Sequence, residues 1–182
     1  MIRFIELSES GHRRFAEDLF EDAFPLKERP KFDVVEDREE NNFHFLVVTN
    51  DDDPIGIFTY WNFPEFNYIE HFAIAPEFRG QGMGKATMLN FMLDHPEQVV
   101  LEIELPDTEQ AEHRLEFYTD LGFTRQSQEY VQPSYHGDKT PEVPMIIMTK
   151  YELDDGEFEE ITQVLYEKVY HRRPKMRAKE RK

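Results

Sequence analysis

The stretch most suited to chemistry is Arg79-Gly80-Gln81-Gly82-Met83-Gly84-Lys85, in which three glycines alternate with other residues between two cationic side chains. Glycine permits positive φ and lets a ligand approach the main chain closely. If a helix begins here, its unpaired N–H groups and the positive end of its dipole favour a phosphate. A tight turn without a ligand would use the same glycines. Spacing excludes the two familiar nucleotide loops. A Walker loop needs four residues between its first glycine and a Gly-Lys-Ser/Thr, and a dinucleotide fingerprint needs two between its second and third glycines. Here each gap holds one residue.

Glu102 and Glu104 fall two apart in a β-rich run and therefore share one face of a strand. Such a pair suits a cationic acceptor or a water relay, and equally a solvated surface. The chain has no cysteine, which excludes disulfides, thiolate metal sites and a cysteine nucleophile. No spacing of His, Asp or Glu resembles a metal site.

The elements that must position these residues follow from pattern. Residues 2–7 alternate as a strand. Ser8 or Ser10 caps a helix running to about Phe24, with Phe15, Leu19 and Ala23 four apart. Residues 34–42 are too charged to assign. Residues 43–49 and 55–61 are β-rich and joined by a short polar connector, the mark of a hairpin. A third strand covers 67–74, and the glycine-rich turn leads into a helix over 85–94 closed by His95-Pro96. A strand over 99–105 and a helix over 109–121 follow, with Gly122 as C-cap. Residues 123–132 and 143–153 form a closing antiparallel pair, and 154–170 a terminal helix. Several successive strands are joined too briefly for helical crossovers. The fold class is α+β, a mixed α/β architecture with a mostly antiparallel central sheet and helices on both faces.

The chain has 182 residues and 39% hydrophobic content, enough for one buried core. Three segments are expected: a main domain over 1–153, a C-terminal helix over 154–170 packed on the domain or on a second subunit of a homodimer, and a flexible basic tail over 171–182. The net charge is −17, and the last twelve residues carry seven Lys or Arg against one Glu, which leaves −23 on the remainder. That charge disfavours nucleic acid and favours cations such as protonated amines, although solubility alone would account for it. No apolar run approaches the length of a membrane helix and no secretory pattern opens the chain, so the expected location is cytoplasmic.

Arg79-Gly80-Gln81-Gly82-Met83-Gly84 resembles the Arg/Gln-x-x-Gly-x-Gly/Ala signature of the GCN5-related N-acetyltransferase (GNAT) superfamily. The preceding run, Tyr68-Ile69-Glu70-His71-Phe72-Ala73-Ile74-Ala75-Pro76, is similar to that family's cofactor-facing strand. Leu115-Glu116-Phe117-Tyr118-Thr119-Asp120-Leu121-Gly122-Phe123 is similar to its helix-to-strand block. The resemblance covers roughly residues 2–153 and is sharpest over 68–123.

It implies an acetyltransferase that takes its acyl group from acetyl-CoA. Main-chain amides from Gly80 through Gln81, Gly82, Met83 and Gly84 to Lys85, with Arg79, would hold the coenzyme A pyrophosphate. Phe72, Ala73 and Ile74 would pair with the pantetheine arm as a strand edge. The sheet would be splayed between this strand and the next, with the acyl group in the gap. One departure is Ala111, where many relatives carry an asparagine.

Amine attack on a thioester requires a neutral amine, a donor to the oxyanion and protonation of the leaving sulfur. The resemblance makes Tyr118 the proton donor to sulfur, although its stripe with Ala111 and Leu115 also fits a core tyrosine. Glu70 is the expected base, on the premise that partial burial raises its pKa, with His71 as rival on the opposite strand face. Glu102, Glu104 and Tyr135 are expected to face the acceptor, and Tyr130 and His136 to shape its pocket. The acceptor is a small-molecule or peptide amine. A non-catalytic acyl-CoA-binding protein is the competing reading, favoured by Ala111.

Overall fold

Runs rich in Val, Ile and Phe form eight strands: β1 (Ile2–Glu6), β2 (Phe43–Asn50), β3 (Asp53–Asn62), β4 (Phe66–Ile74), β5 (Gln98–Glu104), β6 (Thr124–Arg125), β7 (Tyr130–Gln132) and β8 (Val143–Thr149). Among the described residues six α-helices accompany them: α1 (Leu7–Ser10), α2 (Arg13–Ala23), α3 (Phe32–Glu36), α4 (Met83–Asp94), α5 (Glu109–Asp120) and α6 (Asp155–Val164). The computed structural model describes residues 1–137 and 141–172. The basic tail beyond residue 172 lies outside the described residues.

The strands make one sheet in the order β1-β2-β3-β4-β5-β8-β6, with β7 also on β8. Every pairing is antiparallel except β4 with β5. That parallel pairing runs only from Phe66↔Gln98 to Ile69↔Leu101 and then ends. Beyond it the two strands diverge, so β4 from Glu70 onward has a ladder on the β3 side alone.

One face of the sheet carries Phe58, Ile69 and Leu101 against Met88 and Phe91 of α4 and Tyr118 of α5. The other carries two clusters. Phe45, Val47 and Ile57 pack on Ala16, Leu19 and Phe20 of α2, while Trp61, Tyr68, Val100 and Ile147 pack on Phe158 and Ile161 of α6.

Three expectations need correction. The helix foreseen from Ser8 to Phe24 is two helices, because Gly11 adopts φ 71° and interrupts them. Residues 34–42, left unassigned by pattern, include most of a short helix, α3. The strand foreseen over 123–132 is β6 and β7 with a break between. There the Gln126 N–H still donates to the Ile147 carbonyl of β8, while its side chain donates to Thr149 Oγ1 and accepts from the Leu153 N–H. The terminal helix has an Asp154–Glu157 capping box and gives way to a π-helical turn, Leu165–Val169.

Candidate active site

The glycine-rich turn presents main chain rather than side chains. Gly80 and Gly82 hold φ of 71° and 79°, conformations that side chains with a Cβ rarely adopt. Gly82 is the N-cap of α4, and no side chain caps the helix. The first-turn N–H groups therefore stay available. Arg79 Nε donates to the carbonyl of Ile74 at 2.8 Å, which ties the turn to the end of β4. Gln81 is exposed, with its amide turned back to the Glu77 carbonyl at 2.8 Å, and does not line the groove described next.

Above this turn runs a groove of about 570 Å³. Phe72, Ala73 and Ile74 of β4, Arg79, Gly80, Gly82, Met83, Gly84 and Lys85 of the turn, and Arg114, Phe117 and Tyr118 of α5 all line it. Thus nearly every residue foreseen for the cofactor meets at one groove. It fits a diphosphate at one end and an extended arm along the unpaired edge of β4. Ala111 is fully buried and contributes nothing polar.

Where β4 and β5 part, a narrow throat of about 60 Å³ lies between them. Phe72 and Tyr118 line its groove end, and Glu70, His71, Glu102 and Gln132 its other walls. Phe24, Glu28, Glu104 and Arg114 line both the throat and a third cavity, of about 680 Å³, between the residues around 21–29 and the end of β5. That volume is within the usual range of small-molecule sites. Arg114 lines all three spaces and is ion-paired to Glu104.

Glu70 lacks the raised pKa on which its expected role as base was premised. Its side chain is 0% exposed and accepts four hydrogen bonds: Arg38 Nη1 at 2.5 Å, Arg38 Nη2 at 3.1 Å, Trp61 Nε1 at 2.7 Å and Tyr135 Oη at 2.8 Å. A carboxylate has about four lone-pair sites, so none remains. Burial alone would raise this carboxyl, but the Arg38 charge, His71 and the donated bonds outweigh it and bring it down to about 2.

His71 is not across the sheet from Glu70. Thr59 pairs with His71 and Tyr60 with Ile69, so Glu70 is the extra residue of a β-bulge and alternation is lost there. Both side chains lie on the α2 side, where His71 contacts Phe20, Phe24 and Thr59 Oγ1. Burial pushes its imidazole down to about 4.

Tyr118 is buried, with its ring edge-on to Phe117 and Phe123. Burial pushes its phenol up to about 12, so it keeps its proton at neutral pH.

Glu102 has neutral company. Tyr130 Oη donates to Oε1 at 2.6 Å, and Gln132 Nε2 and Tyr170 Oη donate to Oε2, each at 2.9 Å. Burial raises its carboxyl and these bonds only partly offset that, leaving it at about 7. Tyr135 belongs to Glu70, and His136 Nε2 bridges to the carbonyls of Leu26 and Arg29, closing the β7–β8 loop over the segment after α2. Arg38, Trp61, Arg114 and Tyr170 carry no motif and were missed by sequence reasoning.

The description "Acetyltransferase (GNAT) domain" matches residues 41–125. A GNAT-family protein of Bacteroides thetaiotaomicron is 35% identical, over 93% of this chain and 98% of its own, with a TM-score of 0.85. An aminoglycoside 6′-N-acetyltransferase from Enterococcus faecium is 15% identical, over 82% of this chain and 96% of its own, with a TM-score of 0.60. A Bacillus subtilis acetyltransferase in complex with CoA is 17% identical, over 81% and 95%, with a TM-score of 0.57. The last two likenesses are of fold. No curated protein matches the sequence. An open, mostly antiparallel sheet split beside a phosphate-ready turn is the architecture of an acyl-CoA transferase. This chain belongs to the GNAT acetyltransferase family.

Proposed function

We propose that the chain is an N-acetyltransferase that moves an acetyl group from acetyl-CoA to an amine in a ternary complex. The observation that carries this reading is the meeting of groove, throat and third cavity on shared residues, Phe24 and Arg114, where β4 and β5 separate. Acetyl-CoA, when bound, supplies an activated acyl carbon and a thiolate leaving group.

The chain's own residues meet the remaining requirements. The first-turn amides of α4, with Arg79 and Lys85, bind the pyrophosphate. Phe72, Ala73 and Ile74 offer their main chain to the arm, and the N–H near Phe72 donates to the oxyanion. Tyr118, on the groove side of the throat, donates its proton to the departing sulfur.

The acceptor enters through the third cavity. Among its charged residues, Lys27 pairs with Glu28, Arg29 with Glu21 and Arg114 with Glu104, while Asp22 and Asp107 add unmatched negative charge. A cationic amine suits that lining. The transferase unit includes α6 and the turn after it, since Tyr170 reaches Glu102.

The test is acetyl-CoA consumption with a panel containing spermidine, an aminoglycoside and a peptide with an N-terminal alanine, the acceptors named for structural neighbours. Acetylation of at least one amine is expected. CoA binding without transfer to any amine would instead make the chain a cofactor-binding protein.

A further inference from the structure

We infer that Glu102, on β5, accepts the proton of the acceptor ammonium through water held in the throat, and that Glu70 does not. The inference rests on the acetyltransferase reading and assigns the step which that reading leaves open.

Geometry separates the two carboxylates. Glu70 spends all four lone-pair sites on Arg38, Trp61 and Tyr135 and is permanently paired with a cation. Glu102 receives three donors, one on Oε1 and two on Oε2, so Oε1 keeps one site. Glu102 lines the throat together with Tyr118 and Phe72. A throat of about 60 Å³ is too small for an acceptor molecule, yet a water needs only about 10–15 Å³ of such space. It therefore suits a short file of water.

The surroundings complete the argument. Facing Glu102 are Tyr68 from β4, Tyr130 and Gln132 from β7, and Tyr170 from the end of the terminal helix. None of its hydrogen-bond partners is a cation. The Arg38–Glu70 pair stands behind Tyr135, whose ring contacts Tyr170 at 5.0 Å. Glu104, next on the same face, is neutralised by Arg114. A carboxylate without a cation, held by hydroxyls and an amide, has the affinity for a proton that a base at neutral pH requires.

The proton balance closes. The ammonium gives one proton through water to Glu102, and the free nitrogen lone pair forms the C–N bond. The C–S bond breaks, the thiolate takes the phenolic proton of Tyr118, and the nitrogen of the new amide, which still carries one proton too many, releases it to water. Proton exchange with solvent then restores both groups.

The experiment compares parent, Glu102→Gln and Glu70→Gln by kcat/KM against pH, with whichever of spermidine, the aminoglycoside or the alanyl peptide the parent acetylates. The parent profile should rise about tenfold per pH unit below about 7 and then level, because Glu102 acts only when ionised and its carboxyl sits near 7. Glu102→Gln should lose this step and fall about 10²-fold at neutral pH. Its deficit should close as pH rises toward the amine's own pKa of about 10, where free amine no longer needs a base. A merely structural role would leave the deficit constant with pH. Glu70→Gln should unfold at lower temperature, its buried Arg38 deprived of the carboxylate it is hydrogen-bonded to, but keep the step.

Retention of the step in Glu102→Gln, or its loss in Glu70→Gln alone, overturns the inference. A parent that acetylates none of the amines overturns the acetyltransferase reading beneath it, so the two failures are distinguishable. Should Glu102→Gln fail to fold, infrared spectroscopy of the parent decides. A protonated carboxyl band that vanishes as pH rises through about 7 supports the assignment, and its absence contradicts it.

Discussion

Tyr118 is placed for both packing and the proposed chemistry. Its ring fills the core between Phe117 and Phe123 while its edge lines both the groove and the throat. A phenol pushed up to about 12 cannot act as a base at neutral pH, but it holds a proton that a newly formed thiolate can take. Tyr118→Phe removes only the hydroxyl and keeps the ring contacts. In steady-state kinetics it should lower kcat about 10²-fold, with little change in KM for acetyl-CoA. An unchanged kcat would remove Tyr118 from the chemistry and leave it as a core residue. Glu70 teaches the opposite lesson. Its sequence setting suggests a lone carboxylate in an apolar strand, and the raised pKa expected there is reversed by Arg38, 32 residues away.

At the scale of elements, the turn before α4 should bind phosphate through main chain rather than through side chains. Nothing lies within 4 Å of a Cβ added at Gly82, so substitution there meets backbone strain and no steric clash. A left-handed conformation costs an ordinary residue about 1–2 kcal/mol, while asparagine tolerates it better. Gly82→Val should therefore weaken CoA about tenfold by calorimetry, and Gly82→Asn distinctly less. Equal losses in both variants would point to the lost space rather than to the backbone.

This turn was legible in the sequence because glycine spacing encodes φ locally. The strands and α4 and α5 were legible for the same reason, since apolar periodicity reports on immediate neighbours. The bulge at Glu70 was not, because it arises from a register shift between β3 and β4 that neither strand signals alone. The donors on Glu102 come from β7 and from the turn after α6, 28 to 68 residues away, so their convergence is a property of the topology. The side-chain partners of Gln126, Thr149 and Leu153, are likewise distant in the chain.

For the molecule as a whole, the sheet divides labour between its faces. Helices α4 and α5 cover the side where the groove lies; α2 and α6 cover the side where the two carboxylates lie; the parting of β4 and β5 connects them. A net charge of −17 opposes an anionic ligand at long range. Binding of coenzyme A must then depend on short-range donors concentrated at one turn. Among the described residues no helix is long and apolar enough to cross a membrane.

The most direct test follows the amide resonances of the protein as acetyl-CoA is added. The account predicts shifts concentrated at residues 80–85 and along β4 from Glu70 to Ile74, with the Tyr118 ring perturbed. If those amides stayed still, or if the shifts clustered around the cavity near 21–29 instead, the split-sheet account would be contradicted.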